Sequence, residues 1–163
     1  MSTVDIDCID ENDALMNEII NTVGDKYNLP IGWINTEFLT TRSYSPKLIQ
    51  YSSFYKNYLN DVLVIRTIKD EYLIAMKMVS ARKYKNDYSD IYGIIKENPK
   101  LSIESILTAI KELYGESIDI DEDMKNYVNT IFTDSFIDYN QLKENEKAEK
   151  ESLILKTKNS KKL

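Results

Sequence analysis

The sequence predicts an α+β fold, with strands near the N-terminus and helices gathered in the C-terminal half. Three observations carry this. "TVDIDCI" alternates apolar and polar residues, two β-rich runs flank Asn60-Asp61, and from Lys69 onward the apolar spacing becomes helical and stays so.

In "TVDIDCI", Val4, Ile6 and Cys8 share one face and Thr3, Asp5 and Asp7 the other, the pattern of a half-buried strand. "DENDALMNEIINTVGDKYN" then reads as a helix. Leu15, Ile19, Val23 and Tyr27, with Met16 and Ile20 beside them, recur at spacings of three and four; Asp10 and Asp13 offer the N-cap, and Asn28-Leu29-Pro30 the stop. "LPIGWINTEFLTTRSYSPK" is rich in turn residues and predicts a structured loop with one helical turn at Asn35 to Leu39. "LIQYSSFYKNYL" and "VLVIRTI" predict a hairpin turning at Asn60-Asp61.

Four helices are expected next. Asp70 caps "EYLIAMKMVSARKY", "DYSDIYGIIKEN" runs up to Pro99, "SIESILTAIKELYG" lies between a Ser102 cap and a Gly115 stop, and "DEDMKNYVNTIFTDSF" follows. Beyond Asp138 the chain is mostly charged, which predicts a frayed helix and a loose tail. The expected organisation is a core over residues 1–98, a helical extension over 99–138 and a partly disordered tail over 139–163.

Composition narrows function by exclusion. The 163 residues suit one hydrophobic core, and a net charge of -6 disfavours a general nucleic-acid coat, which needs clustered Lys and Arg. With no histidine, His-based triads and the usual zinc sites are excluded; with one cysteine, so is an internal disulfide. The start lacks a signal-peptide pattern, and no apolar run approaches the roughly 18 residues of a membrane span, so a cytoplasmic protein without membrane contact is expected.

Four groups of residues could carry chemistry. Asp5 and Asp7, two apart on a strand, leave the same face and suit a hard divalent ion, or are simply solvated charge on an edge strand. Lys77 has Leu73, Ile74, Ser80 and Ala81 at helical spacing and no carboxylate among them; it either snorkels to water or presents a cation to a phosphate or to Asp5 and Asp7. Asp87 and Asp90 have the spacing of a helix N-cap and its partner three residues on. Arg82, Lys83 and Lys85 form a basic turn that pairs with these acids, meets a phosphate, or is solvated. The 12 tyrosines read first as core, and "GDK" at Gly24 lacks the rest of a phosphate loop.

Taken in order, "TVDIDCID", "LPIGWIN", the hairpin and "DEYLIAMKMVSARKYKNDYSDIYGI" resemble a bacterial nucleotidyltransferase-like group of the polymerase-β superfamily, related to the AbiEii toxins and the minimal nucleotidyltransferases. The resemblance runs from Thr3 to about Ile95 and continues weakly through the later helices. It implies a mixed-sheet nucleotidyltransferase-like core with a C-terminal helical bundle, and Mg²⁺-dependent transfer of a nucleoside monophosphate from a nucleoside triphosphate to RNA or protein, in a toxin-antitoxin or phage-defence setting. By motif, Asp5 and Asp7 match the metal pair, Lys77 the helix lysine that contacts the triphosphate with Arg82 beside it, and Asp90 the acid that follows; Asp87 also has a counterpart.

One departure stands out. The superfamily carries a Gly-Ser or Gly-Gly helix ahead of the Asp-x-Asp strand, and this sequence reaches that strand at once, so a core incomplete at its N-terminus is expected. The third carboxylate is unassigned among Asp61, Asp70 and Glu71. The alternative expectation is a non-catalytic, antitoxin-like binding or regulatory protein on a degenerate version of the same scaffold, with a protein partner.

Overall fold

The structure, a computed structural model, describes residues 6–7, 14–58, 63–83, 85–133 and 137–160, with 6–7, 15, 35, 57–58, 63–64 and 159–160 described by backbone alone. It is α+β, in two compact units, Met1–Tyr44 and Ser45–Leu163.

In the first unit, β1 (Ile6–Asp7) pairs in parallel with β2 (Ile34–Asn35), Ile6 opposite Ile34 and Asp7 opposite Asn35. Between them lies α1 (Ala14–Tyr27). Trp33, from "LPIGWIN", donates its indole N–H to the Ile20 carbonyl at 3.0 Å and lies against Gly24, where a Cβ would stand only 3.1 Å from the indole nitrogen. Gly24 is thus the residue that lets the indole reach the helix. Asn28 ends α1 with φ 55°, the left-handed position that asparagine tolerates. Burial on α1 differs from the expected stripe: Ile20 is buried while Met16, Ile19 and Tyr27 are exposed. The indole sets the inward face here. Asp10 and Asp13, the expected caps, lie outside the described residues.

The second unit departs from the sequence expectation at its start. "LIQYSSFYKNYL" is not strand throughout: Ser45 caps a 3-10 turn over Pro46–Ile49, because proline presets the helical φ and the serine hydroxyl accepts from the Lys47 N–H. The strand β3 begins only at Ser52 and runs to Tyr58, antiparallel to β4 (Leu63–Ile68), with a bulge at Tyr55 between the paired residues Phe54 and Lys56. The expected turn at Asn60-Asp61 lies outside the described residues. A second 3-10 turn, Glu37–Thr40 in the first unit, overlaps the helical turn expected at Asn35 to Leu39.

Five helices follow: α2 (Asp70–Ser80), α3 (Asp87–Glu97), α4 (Ile103–Tyr114), α5 (Glu122–Phe132) and α6 (Tyr139–Ser160). The Ser102 cap is present as a reciprocal capping box with Ser105, and Gly115 closes α4 at φ 83°, a conformation that L side chains resist. Ser45 and Lys47 reach back to the carbonyls of Leu113 and Glu112 at 2.7 and 2.8 Å, satisfying the last turn of α4 from 65 or more residues away. Asp70 is not the cap of α2; Lys69 holds that position without a side-chain bond, and the helix stops at Ser80 with Ala81 left-handed, short of the expected Tyr84.

α2 packs on both α3 and α4, and α3 on α5 and α6. Ile74 and Ile91, both fully buried, and Ile106 and Met124 form the centre of this core. The charged stretch after Asp138 is a helix of 22 residues. Among the described residues no helix is long and apolar enough to cross a membrane.

Candidate functional site

The short loop between α2 and α3 folds the two helices back so that the last turn of one faces the first turn of the other. Lys77 stands in that last turn, Asp87 and Asp90 in that first turn, so each charge also meets the helix end that favours it. The Lys77 ammonium donates to Asp90 Oδ2 at 2.8 Å and lies 3.6 Å from Asp87 Oδ1. Arg82 meets the same Asp87 three times: its backbone N–H and Nε reach Oδ2 at 3.0 Å, and Nη2 reaches Oδ1 at 3.2 Å.

Asp87 is 1% exposed and Asp90 is also buried, whereas the Lys77 side chain keeps 17% of its surface in water. Two cations and two carboxylates make the cluster neutral. Charges this far out of water are tolerated only when paired and hydrogen-bonded, which these largely are. One atom is the exception: Asp90 Oδ1 is buried with no hydrogen-bond partner.

Capping is therefore not what Asp87 and Asp90 do. Asn86 is the N-cap of α3, and the two acids are its first and fourth residues. The first-turn N–H of Ser89 is satisfied from elsewhere, by Glu146 of α6: Ser89 N and Oγ donate to its two carboxylate oxygens at 3.0 and 2.7 Å. In the basic turn, Lys83 pairs with Asp123 at the surface, 3.3 Å away, and Lys85 is exposed.

The structure thus gathers Lys77, Arg82 and Asp90, with Asp87 at the centre. Asp5 lies outside the described residues. Asp7 is placed in β1, within the other compact unit. Among the described residues no three His, Cys, Asp or Glu side chains cluster as metal ligands. Asp70, one of the unassigned acids, accepts from the Asn98 amide at 2.9 Å, tying the start of α2 to the end of α3.

Among the described residues burial shifts four phenols upward, those of Tyr72, Tyr88, Tyr114 and Tyr127. Burial, foremost, holds the hydroxyls of Tyr72, Tyr114 and Tyr127 protonated well above the usual tyrosine range; Tyr72 also donates to the Glu112 carboxylate, and Glu146 adds to the effect at Tyr127. Each holds its proton more tightly folded than unfolded. Their contribution to stability is complete below the unfolded value of about 10 and is lost as pH rises beyond it. In an alkaline titration these phenols are expected to ionise together with the loss of helical circular dichroism. Ionisation of all 12 tyrosines near pH ~10 with the helical signal intact would contradict this.

No protein-family model, curated protein or solved structure matches the chain.

Proposed function

We propose that the chain is a nucleotidyltransferase-like protein that transfers a nucleoside monophosphate from a nucleoside triphosphate to RNA or protein. The observation that supports this reading is the convergence of Lys77, Arg82 and Asp90, residues drawn from the "AMK…AR…D" stretch, at one helix junction, with the Lys77 side chain part-exposed. An ammonium has three donors, and Asp90 takes one at 2.8 Å, so Lys77 is held in place with donor capacity left for a phosphate oxygen. Because the cluster is neutral in sum, it would orient a triphosphate rather than attract it from a distance.

By donor type Asp5 and Asp7 fit Mg²⁺, since two carboxylates are the hard oxygen ligands that ion takes. When bound, the ion supplies neutralisation of phosphate charge. The chain's own share is to hold the ion through Asp5 and Asp7 and to position the triphosphate through Lys77.

A second reading, a non-catalytic antitoxin-like binding protein on this scaffold, is favoured by a different observation. Arg82 and Lys77 both already pair inside the chain, Arg82 through two guanidinium nitrogens on one carboxylate. A cluster of this kind serves as a lock between helices as well as it would serve a ligand.

The two readings separate in one assay. The chain is incubated with labelled ATP, CTP, GTP or UTP, Mg²⁺ and RNA or protein acceptors. Transfer predicts labelled acceptor that needs Mg²⁺, falls to background in Asp7→Asn, and drops by about 100-fold in Lys77→Met. Absence of labelling with all four nucleotides, together with a stable protein partner whose binding ignores Asp7→Asn, would establish the second reading instead.

A further inference from the structure

From Ser45 to Lys69 the chain carries Lys47, Lys56, Arg66 and Lys69 against a single acid, Asp61, although its net charge overall is -6. The hairpin of β3 and β4 stands in this stretch and packs chiefly on itself. At its bulge the register passes from Phe54 opposite Arg66 to Lys56 opposite Ile65, which sets Tyr55 beside Phe54 and interrupts the alternation that would part neighbouring side chains. Both rings are in water: Phe54 is 58% exposed and Tyr55 66%.

Rings of this size ordinarily supply core or interface area, so two adjacent exposed ones call for a use. Tyr51, just ahead of β3, shows the ordinary one: it is half-buried and stacks on Tyr72, with ring centres 4.5 Å apart and planes 18° from parallel. Phe54 and Tyr55 stack on no other ring among the described residues. The cation opposite them is exposed yet held in place. Arg66 donates Nε to Ser52 Oγ at 2.7 Å and Nη2 to the Ser52 carbonyl at 2.9 Å, which uses two of the five donors of a guanidinium and fixes its plane.

We propose that the bulged face of the hairpin binds single-stranded RNA, with bases stacked on Phe54 and Tyr55 and a phosphate on Arg66. Exposed aromatic faces beside a cation match unpaired bases on a phosphate backbone, whereas a duplex keeps its base faces covered. A second copy seated on this face would bring two sets of the same cations together, so the charge favours a polyanion. RNA as the class of acceptor rests on the transfer reading, within which the hairpin selects RNA over protein.

The full chain is titrated into a fluorescent oligouridine of about 12 nucleotides, with neither nucleoside triphosphate nor Mg²⁺ present, and followed by anisotropy. Saturable binding with a Kd of about 10 μM or tighter at low salt is expected, weakening as salt rises. Phe54→Val and Tyr55→Thr, which keep strand-favouring residues but remove the rings, should each weaken it by about 10-fold at an unchanged melting temperature. Arg66→Gln should lower the slope of log Kd against log salt by about 0.7, the share of one phosphate contact. The proposal is overturned if no binding saturates, if both ring variants bind like the parent, if an RNA duplex binds as tightly, if oligothymidine of the same length binds more tightly, or if sedimentation shows a dimer that the ring variants dissociate. RNA bound with no labelling in the transfer assay upholds this inference and removes the transfer reading; labelled protein acceptor with no RNA bound does the reverse.

Discussion

Replacing Asp87 by alanine is expected to destabilise the protein by about 3 kcal/mol, measured as a fall in the urea midpoint at unchanged slope. Breaking a buried ion pair by deleting one member costs more than the pair is worth, because the other member keeps its burial. Asp87 serves the Arg82 guanidinium, the Arg82 backbone N–H and, at longer range, Lys77. With the carboxylate gone, the N–H is left without that acceptor, while the guanidinium, on a side chain 38% exposed, turns to water. That escape places the expected loss at the lower end of the usual range. Asp87→Asn, which keeps an acceptor oxygen, should cost less, and Lys83→Ala, which breaks a surface pair, under about 0.5 kcal/mol. Equal effects at Asp87 and Lys83 would show that the cluster is not the lock described.

Glu146→Ala should cost about 1–3 kcal/mol, since it strands one buried donor, the N–H of Ser89, and leaves the Ser89 hydroxyl only the Asn86 carbonyl at 3.3 Å. Ser89 is fully buried, so water cannot replace the carboxylate without opening the contact between α3 and α6. Hydrogen exchange gives a local readout. The Ser89 amide and the amides of α6 should lose protection together, whereas Glu146→Gln, with an acceptor oxygen retained, should preserve most of it. An unchanged Ser89 amide in the alanine variant would mean that α6 is held by other contacts.

Much of the helical half was legible because local chemistry decides it. Ser102 and Gly115 bracket α4 as expected, and α3 ends just before Asn98-Pro99. The misreadings share a cause, which is that one local signal has two physical origins. Acids three apart at a helix start look the same whether they cap the helix or are buried against cations; the Arg82 turn was a possible partner in the sequence, but only the fold put Lys77 within reach. The apolar surroundings of Lys77 did mark it as sitting beside the core, yet its partners stand 10 and 13 residues further on. Glu146 gave no signal, because one carboxylate in "KENEKAEKE" is indistinguishable from the next until α6 is docked. The start of β3 was misplaced because the apolar "LIQ" suggests strand while Ser45-Pro46 sets a 3-10 turn ahead of it.

The α2–α3 junction also bears on the order of assembly. Its ion pairs join residues 5 to 13 apart, whereas the Ser89–Glu146 contact closes a separation of 57 and Ser45–Leu113 one of 68. Closing a short loop sacrifices less chain entropy, so the helix pair should form early and the α6 latch late. Asp87→Ala is then expected to slow refolding, and Glu146→Ala chiefly to hasten unfolding, in the same stopped-flow experiment. The charges that hold the junction together would thus act as a nucleus, already in place while the rest of the helical unit is still searching for its contacts.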